Sequence, residues 1–152
     1  PLIAAGGIAT GEAMLAARVL GAEGVQIGTR FALTAESSAN EVFKDYCLHL
    51  EEGDTRLLLK KLAPVRLVRN NFRSAVEAAE AVGASEEELR ILLGRGRAKR
   101  GIFEGDLEEG ELEIGQVSVL LHGKGVQSVA SVMQELVEES RRAWERMQEL
   151  DF

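Results

Sequence analysis

The sequence is poor in the residues that staple, break or rigidify small proteins. Its 152 residues include one cysteine, two prolines, one tryptophan and one tyrosine, and aromatics reach only 5%. A single cysteine, Cys47, excludes an intramolecular disulfide and fits a reducing compartment. Apolar runs are short as well. None approaches the roughly 20 residues that span a bilayer, and no basic start followed by an apolar stretch marks a signal peptide, so a soluble, cytoplasmic protein is expected. Basic charge is in deficit, with 18 Lys and Arg against 25 Asp and Glu and a net charge of −7, which argues against nucleic acid or an anionic membrane as partner. No P-loop lysine motif, serine-histidine-acid set or metal-ligand cluster can be assembled, so no metal site is expected. What is present, 45% apolar and 28% charged residues, suffices for the core of about one domain. The acidity lies in the second half: residues 1–76 carry 9 basic and 8 acidic side chains, residues 77–152 carry 9 and 17.

The first thirty residues have a clear local grammar. Residues 1–5, Pro-Leu-Ile-Ala-Ala, read as a buried strand broken by Gly6-Gly7. Thr10 caps a helix over Gly11–Leu20, and Gly21 supplies its left-handed stop. Residues 24–28 form a second short strand, so the three elements make a βαβ unit with a parallel pair. Ser37 or Ser38 then starts a helix that places Val42, Phe43, Tyr46, Cys47 and Leu50 on one face and ends near Gly53. Residues 55–68 fit strand or helix, with Pro64 breaking either. Helices are expected from Asn71 to about Val82 and from the capping box Ser85-Glu86-Glu87-Glu88 to Gly94. Residues 94–115, with six glycines, read as mostly irregular. A final helix from about Ser128 to Leu150 carries Val129, Val132, Met133, Leu136, Val137 and Trp144 on a packing stripe.

Chemistry concentrates at two glycine breaks, Ala5-Gly6-Gly7 and Gly28-Thr29, each directly after a strand of the βαβ unit. Ligands of parallel α/β proteins sit beyond the carboxyl ends of the strands. Glycine lets the backbone approach a phosphate, and free amides at a helix start favour the anion. Each break alone is equally explained by a tight turn; two at adjacent strand ends favour phosphate. Thr29 adds a hydroxyl donor. Arg30 either neutralises that phosphate or pairs with a carboxylate, the structural role being favoured. Gln26, an amide buried in an apolar strand, points to a ligand or satisfies backbone. His49 and His122 lack acidic or cysteine partners at useful spacing and read as structural, as does a buried, inert Cys47. Arg95, Arg97, Lys99 and Arg100 form a basic cluster that fits either an acidic partner or a solvated loop paired with the nearby glutamates.

The segments Pro1-Leu-Ile-Ala-Ala-Gly-Gly-Ile8, Gly21-Ala-Glu-Gly-Val-Gln-Ile-Gly-Thr-Arg-Phe31 and Glu36-Ser-Ser-Ala-Asn40 resemble the C-terminal part of FMN-dependent barrel enzymes. These are the nitronate monooxygenases (2-nitropropane dioxygenases) and the flavin-type enoyl-acyl-carrier-protein reductases. The likeness is looser through Asp54-Thr55 and Arg66 to Phe72, and returns at Glu104-Gly-Asp-Leu-Glu-Glu-Gly110 and Ile114-Gly-Gln116, which resemble the reductase branch. Many relatives carry a histidine where this chain has Asn40.

The resemblance implies an α/β fold, the last two strands of a (β/α)8 TIM barrel with an added, mostly helical region. Residues 1–35 would be the last two βα units, 36–127 a helical and irregular cap over the flavin, and 128–152 a helix packing back on the barrel. It implies that Ala5, Gly6, Gly7, Gln26, Gly28 and Thr29 bind FMN, with Gly115 and Gln116 near the ring. The family's catalytic histidine lies upstream of the first strand here, so no catalytic residue is assigned. The implied reaction is reduction of trans-2-enoyl-acyl-carrier-protein by NADH or NADPH through FMN, by a homodimeric enzyme; the basic residues 95–100 would dock the acidic carrier protein. The alternatives are oxidation of an alkyl nitronate by oxygen and a non-catalytic module binding a phosphate ligand. Since a barrel of this type takes about 250 residues and eight strands, the chain is expected to be the back part of a larger enzyme, inactive alone, with the flank of its first strand exposed.

Overall fold

A computed structural model describes residues 1–149; the expected helix end at Leu150 lies outside them. The chain opens with the βαβ unit. Strand β1 (Ile3–Ala5) and strand β2 (Gly24–Gln26) pair in parallel, Ile3 against Gly24 and Ala5 against Gln26, with helix α1 (Gly11–Val19) crossing between them. Thr10 caps α1, its side chain accepting from the Ala13 amide at 3.2 Å, and Gly21 follows at φ +103°. Two expectations need correction. The first strand is not buried: Leu2 and Ile3 are 59% and 53% exposed, and among the described residues β1 pairs with β2 alone. The second strand stops at Gln26, since Gly28 already caps a short turn of helix, α2 (Thr29–Ala32).

Helix α3 (Glu41–Leu48) starts later than the serines suggest, with Asn40 as its cap accepting from the Val42 amide at 2.9 Å. The reason is a buried lysine. Lys44 Nζ donates to the carbonyls of Ala35 and Ser37 at 3.4 and 2.9 Å and pairs with Glu41 at 2.9 Å, which commits those carbonyls to the loop. The ambiguous stretch is an antiparallel hairpin, β3 (Thr55–Leu58) and β4 (Val65–Val68), Thr55 opposite Val68 and Leu58 opposite Val65. Pro64 lies just before β4, where its missing amide costs no ladder bond. The far edge of β4 takes the 112–114 segment: the Val68 amide donates to the Leu112 carbonyl at 2.9 Å and the Ile114 amide to the Arg66 carbonyl at 3.3 Å.

Helices α4 (Asn71–Ala81) and α5 (Glu86–Leu93) follow the sequence pattern, α5 opening on the expected reciprocal capping box of Ser85 and Glu88. Residues 94–115 are more ordered than their glycines suggest, holding a π-helical turn at Lys99–Phe103 besides the bridge to β4. A 3₁₀ helix, Gln116–Leu121, leads to the long α6 (Val129–Gln148). The amide of Val129 donates to both carboxylate oxygens of Glu36 at 2.9 and 3.0 Å, a side-chain partner for the helix start.

Two apolar clusters hold these pieces. One joins Leu33, Phe43, Cys47, Leu48, Val68, Leu112, Ile114 and Leu121; the other joins Leu58, Leu67, Phe72, Val76 and Leu89 around the hairpin. Helix α6 runs against α1 so closely that a Cβ on Gly11 would sit 2.4 Å from the Leu136 carbonyl oxygen. The α6 stripe divides, contrary to the sequence reading: Val132 and Leu136 are buried, whereas Met133, Val137 and Trp144 are exposed. Among the described residues no helix is long and apolar enough to cross a membrane.

Candidate functional site

The carboxyl ends of β1 and β2 open into a cavity of about 1140 Å³. Ala5, Gly6, Gly7, Gln26, Gly28 and Thr29 all line it, and so do Gly115 and Gln116. Thr29 and Gly115 are far apart in sequence, yet the two touch: a Cβ on Gly115 would lie 2.3 Å from Thr29 Oγ1. The remaining walls come from Ile8, from Glu52, Gly53, Thr55 and Arg66 around the hairpin, and from Val117, Val119 and Leu120 of the 3₁₀ helix. Those hairpin and 3₁₀ residues carry no phosphate signature in sequence. Only the weaker likeness at Thr55 and Arg66 pointed toward them.

The chemistry of the strand-end loops is that of backbone amides. Gly6 and Gly7 adopt φ of +85° and +73°, a conformation that strains any side-chain-bearing residue, while the space around them is open. Their requirement for glycine is therefore conformational. Gly28 has no side chain with which to cap α2, so the first-turn amides of that helix keep free donors beside the Thr29 hydroxyl. Gln26 corrects an expectation: it is exposed at the end of β2 rather than buried in a strand.

Arg30 does not line the cavity. It is 2% exposed, with Nη1 donating to the Ala9 carbonyl at 2.6 Å and Nη2 paired with Glu135; Glu139 lies 3.7 Å from Nη1. Lys124 reaches the same two glutamates at 2.8 and 3.6 Å, and the Gly11 amide donates to Glu139 at 2.8 Å. Two cations and two carboxylates thus fix the turn after β1 and the whole of α2 against α6. Hydrogen bonding from Lys124, reinforced by Gln127 and by the charge of Arg30, holds the Glu135 carboxyl below the usual range despite some burial. Glu135 and Glu139, four residues apart on one helix, were the signal for this support, and sequence reasoning passed over them.

The other candidates fall away from the cavity. His49 and His122 face each other edge-on, 6.0 Å between ring centres, their Nδ1 atoms near the carbonyls of Asp45 and Leu50. Cys47 is fully buried and its thiol is pushed up to about 12 by burial. The basic cluster is largely occupied: Arg97 lies 4.5 Å over the Phe72 ring and donates to the Glu109 carbonyl, Lys99 pairs with Glu104, and Arg100 with Asp106. Among the described residues no three His, Cys, Asp or Glu side chains gather at metal-ligand distance.

Comparison with known proteins places this architecture. A family model described as nitronate monooxygenase matches residues 1–139. A probable nitronate monooxygenase of Staphylococcus haemolyticus is 51% identical over 55 residues, which are 36% of this chain and 15% of that one. The structure of FabK from Thermotoga maritima superposes with a TM-score of 0.83 at 35% identity, covering 97% of this chain and 46% of that one. A nitroalkane oxidase from Streptomyces ansochromogenes gives 0.71 at 27% identity, covering 97% and 41%. The chain thus spans under half the length of these solved relatives and a small part of the curated one. With the family model matching more than nine-tenths of its residues, the chain belongs to the nitronate monooxygenase family.

Proposed function

We propose that this chain is the cofactor-anchoring part of a flavin-dependent oxidoreductase, and that the cavity beyond β1 and β2 takes FMN. The carrying observation is convergence: two strand-end glycine loops, separated in sequence by a helix, open on the same cavity and meet the 115–116 segment there. The residues fit the group. Positive-φ glycines leave open space for close approach, and first-turn amides of α2 with the Thr29 hydroxyl suit a phosphate monoester. Gln26, Gly115 and Gln116 offer polar and backbone contacts to a planar ring, while Val117, Val119 and Leu120 exclude water from it. A flavin bound there supplies the two-electron chemistry; the protein's part is placement and shielding. In this reading β1 and β2 are the last strands of a (β/α)8 barrel, residues 1–35 its final βα units, 36–127 the cap and 128–152 the helix packed back upon it.

The substrate we propose is a trans-2-enoyl thioester on acyl-carrier protein, reduced with NADH or NADPH. The support is the higher likeness to FabK, an enoyl-acyl-carrier-protein reductase, than to the nitroalkane oxidase. Oxidation of alkyl nitronates is the second reading, favoured by the 51% identity to a probable nitronate monooxygenase across 55 residues. Three measurements on the full-length protein decide. Its visible spectrum should show bound flavin, lost or weakened in Gly6→Val. Crotonyl thioester should accelerate NADH oxidation; oxygen uptake with a nitronate and no nicotinamide transfers the assignment to the second reading. Bound flavin without turnover on either leaves a binding module, and no flavin at all overturns the proposal.

A further inference from the structure

The cavity wall contains a cation that no carboxylate neutralises. Arg66 sits on β4, across the ladder from Leu57, and is the one Lys or Arg in the lining. Its guanidinium makes two long contacts, Nη1 to the Thr55 carbonyl and to Thr55 Oγ1, both at 3.3 Å. Most of its five donors have no protein acceptor among the described residues. Glu52, the one acid in the lining, forms no ion pair with it, whereas Arg30, Arg73 and Arg100 each reach a carboxylate. A half-buried guanidinium in that state presents a planar fork suited to phosphate oxygens.

Its position separates it from the glycine loops. Strand β4 has two edges: one takes the 112–114 segment, which continues to Gly115 and Thr29, and the other pairs with β3. Arg66 bends toward Thr55, on the β3 side, whereas the Thr29 contact is reached through the 112–115 segment on the other edge. The cavity therefore offers two anion features of different kind, a neutral amide cradle and a fixed guanidinium.

We infer that Arg66 binds the phosphate or diphosphate group of the second, phosphorylated substrate that enters this cavity, and not that of the cofactor. The inference rests on the proposed placement of the flavin phosphate at Gly6, Gly7, Gly28 and Thr29. Two sources share the chemistry: the diphosphate of a nicotinamide dinucleotide and the phosphate of a phosphopantetheine thioester. Because Arg66 has few protein contacts to lose, Arg66→Gln keeps the fold, and Arg66→Lys keeps the charge while losing the fork.

The test is calorimetric titration of the full-length protein, saturated with FMN, with inorganic pyrophosphate. Arg66→Gln should weaken pyrophosphate by about tenfold to a hundredfold and Arg66→Lys by less, with flavin affinity and melting temperature unchanged. In steady state the KM for NADH or for crotonyl-coenzyme A should rise at least tenfold with kcat little altered, and the one that rises names the source. Equal pyrophosphate affinity in wild type and Arg66→Gln overturns the inference, as does a parallel loss of flavin affinity, which would assign Arg66 to the cofactor. Should the wild-type protein take no flavin, the flavin reading fails, and the same titration without FMN still shows whether Arg66 binds the anion.

Discussion

Gly115 matters for what it leaves room for. With Thr29 Oγ1 only 2.3 Å from where its Cβ would stand, Gly115→Ala must push the threonine or the 114–116 segment aside, an overpacking that costs about 1–3 kcal/mol. The displacement falls on the α2 start, so flavin affinity of the full-length protein should drop about tenfold or more, read by quenching of flavin fluorescence, while Thr29→Ser, which keeps the hydroxyl, stays near wild type. Cys47 gives a second residue-level expectation. Its thiol, raised to about 12 by burial, should resist aromatic disulfide reagents at pH 8 and react only on unfolding. The linkage has a definite sign: below the ordinary thiol range folded and unfolded states bind the same proton, and above it only the unfolded thiol ionises. Stability is therefore lost as pH rises from about 9 toward 12, and Cys47→Ala should flatten that alkaline slope in pH-dependent melts. Both residues were legible to different degrees. The apolar face around Cys47 announced its burial, whereas the contact between positions 29 and 115 depends on tertiary approach that no local pattern records.

At the scale of elements, α6 acts as the splint of the site. Arg30, Lys124, Glu135 and Glu139 bind α2 and the turn after β1 to it. Glu135→Gln leaves the buried Arg30 with only Glu139 at 3.7 Å and the Ala9 carbonyl. Since Glu135 is itself partly exposed, about 1–3 kcal/mol is expected rather than the larger loss of a fully buried pair, and the thermal midpoint should fall by roughly 2–12 °C for a chain of this size. The lowered carboxyl of Glu135 sets the pH dependence: its contribution is present above the ordinary carboxylate range and fades as pH falls through its own lower value. Wild type should lose stability on acidification with a steeper slope than Glu135→Gln. A variant that melts like wild type at every pH would show that α2 needs no such brace. The βαβ unit and the helices at 71–81 and 86–93 were readable because their caps and periodicities are local. The hairpin was not, since Leu57-Leu58-Leu59 suits either period, and β4 takes its second partner from the 112–114 segment, more than forty residues away. The α3 start was misread for a similar reason: Lys44 draws in the Ala35 and Ser37 carbonyls from outside the helix.

The whole molecule leaves a largely apolar groove uncovered between α1 and α6. Leu2 and Ile3 stand exposed at the start of β1, Val19 and Leu20 are 60% and 86% exposed at the end of α1, and Met147 is exposed on α6. These last three line a groove between the two helices together with Leu15, Ala16 and Ala143. Contiguous apolar surface of this kind ordinarily marks an interface, and a strand edge without a partner adds open backbone donors and acceptors. In the barrel reading the βα unit preceding β1 covers both, consistent with solved relatives more than twice as long. The 152 residues produced alone should therefore bind an apolar fluorescent dye and sediment above monomer mass with a concentration dependence, despite a net charge of −7 that opposes association. Leu20→Glu, at a site where a surface change costs under about 0.5 kcal/mol, should shift sedimentation toward monomer without lowering the melting temperature. In the full-length protein dye binding should be small and Leu20→Glu destabilising, because the carboxylate is then forced against a covering helix. Monomeric behaviour of the 152 residues without dye binding would show that this face needs no cover.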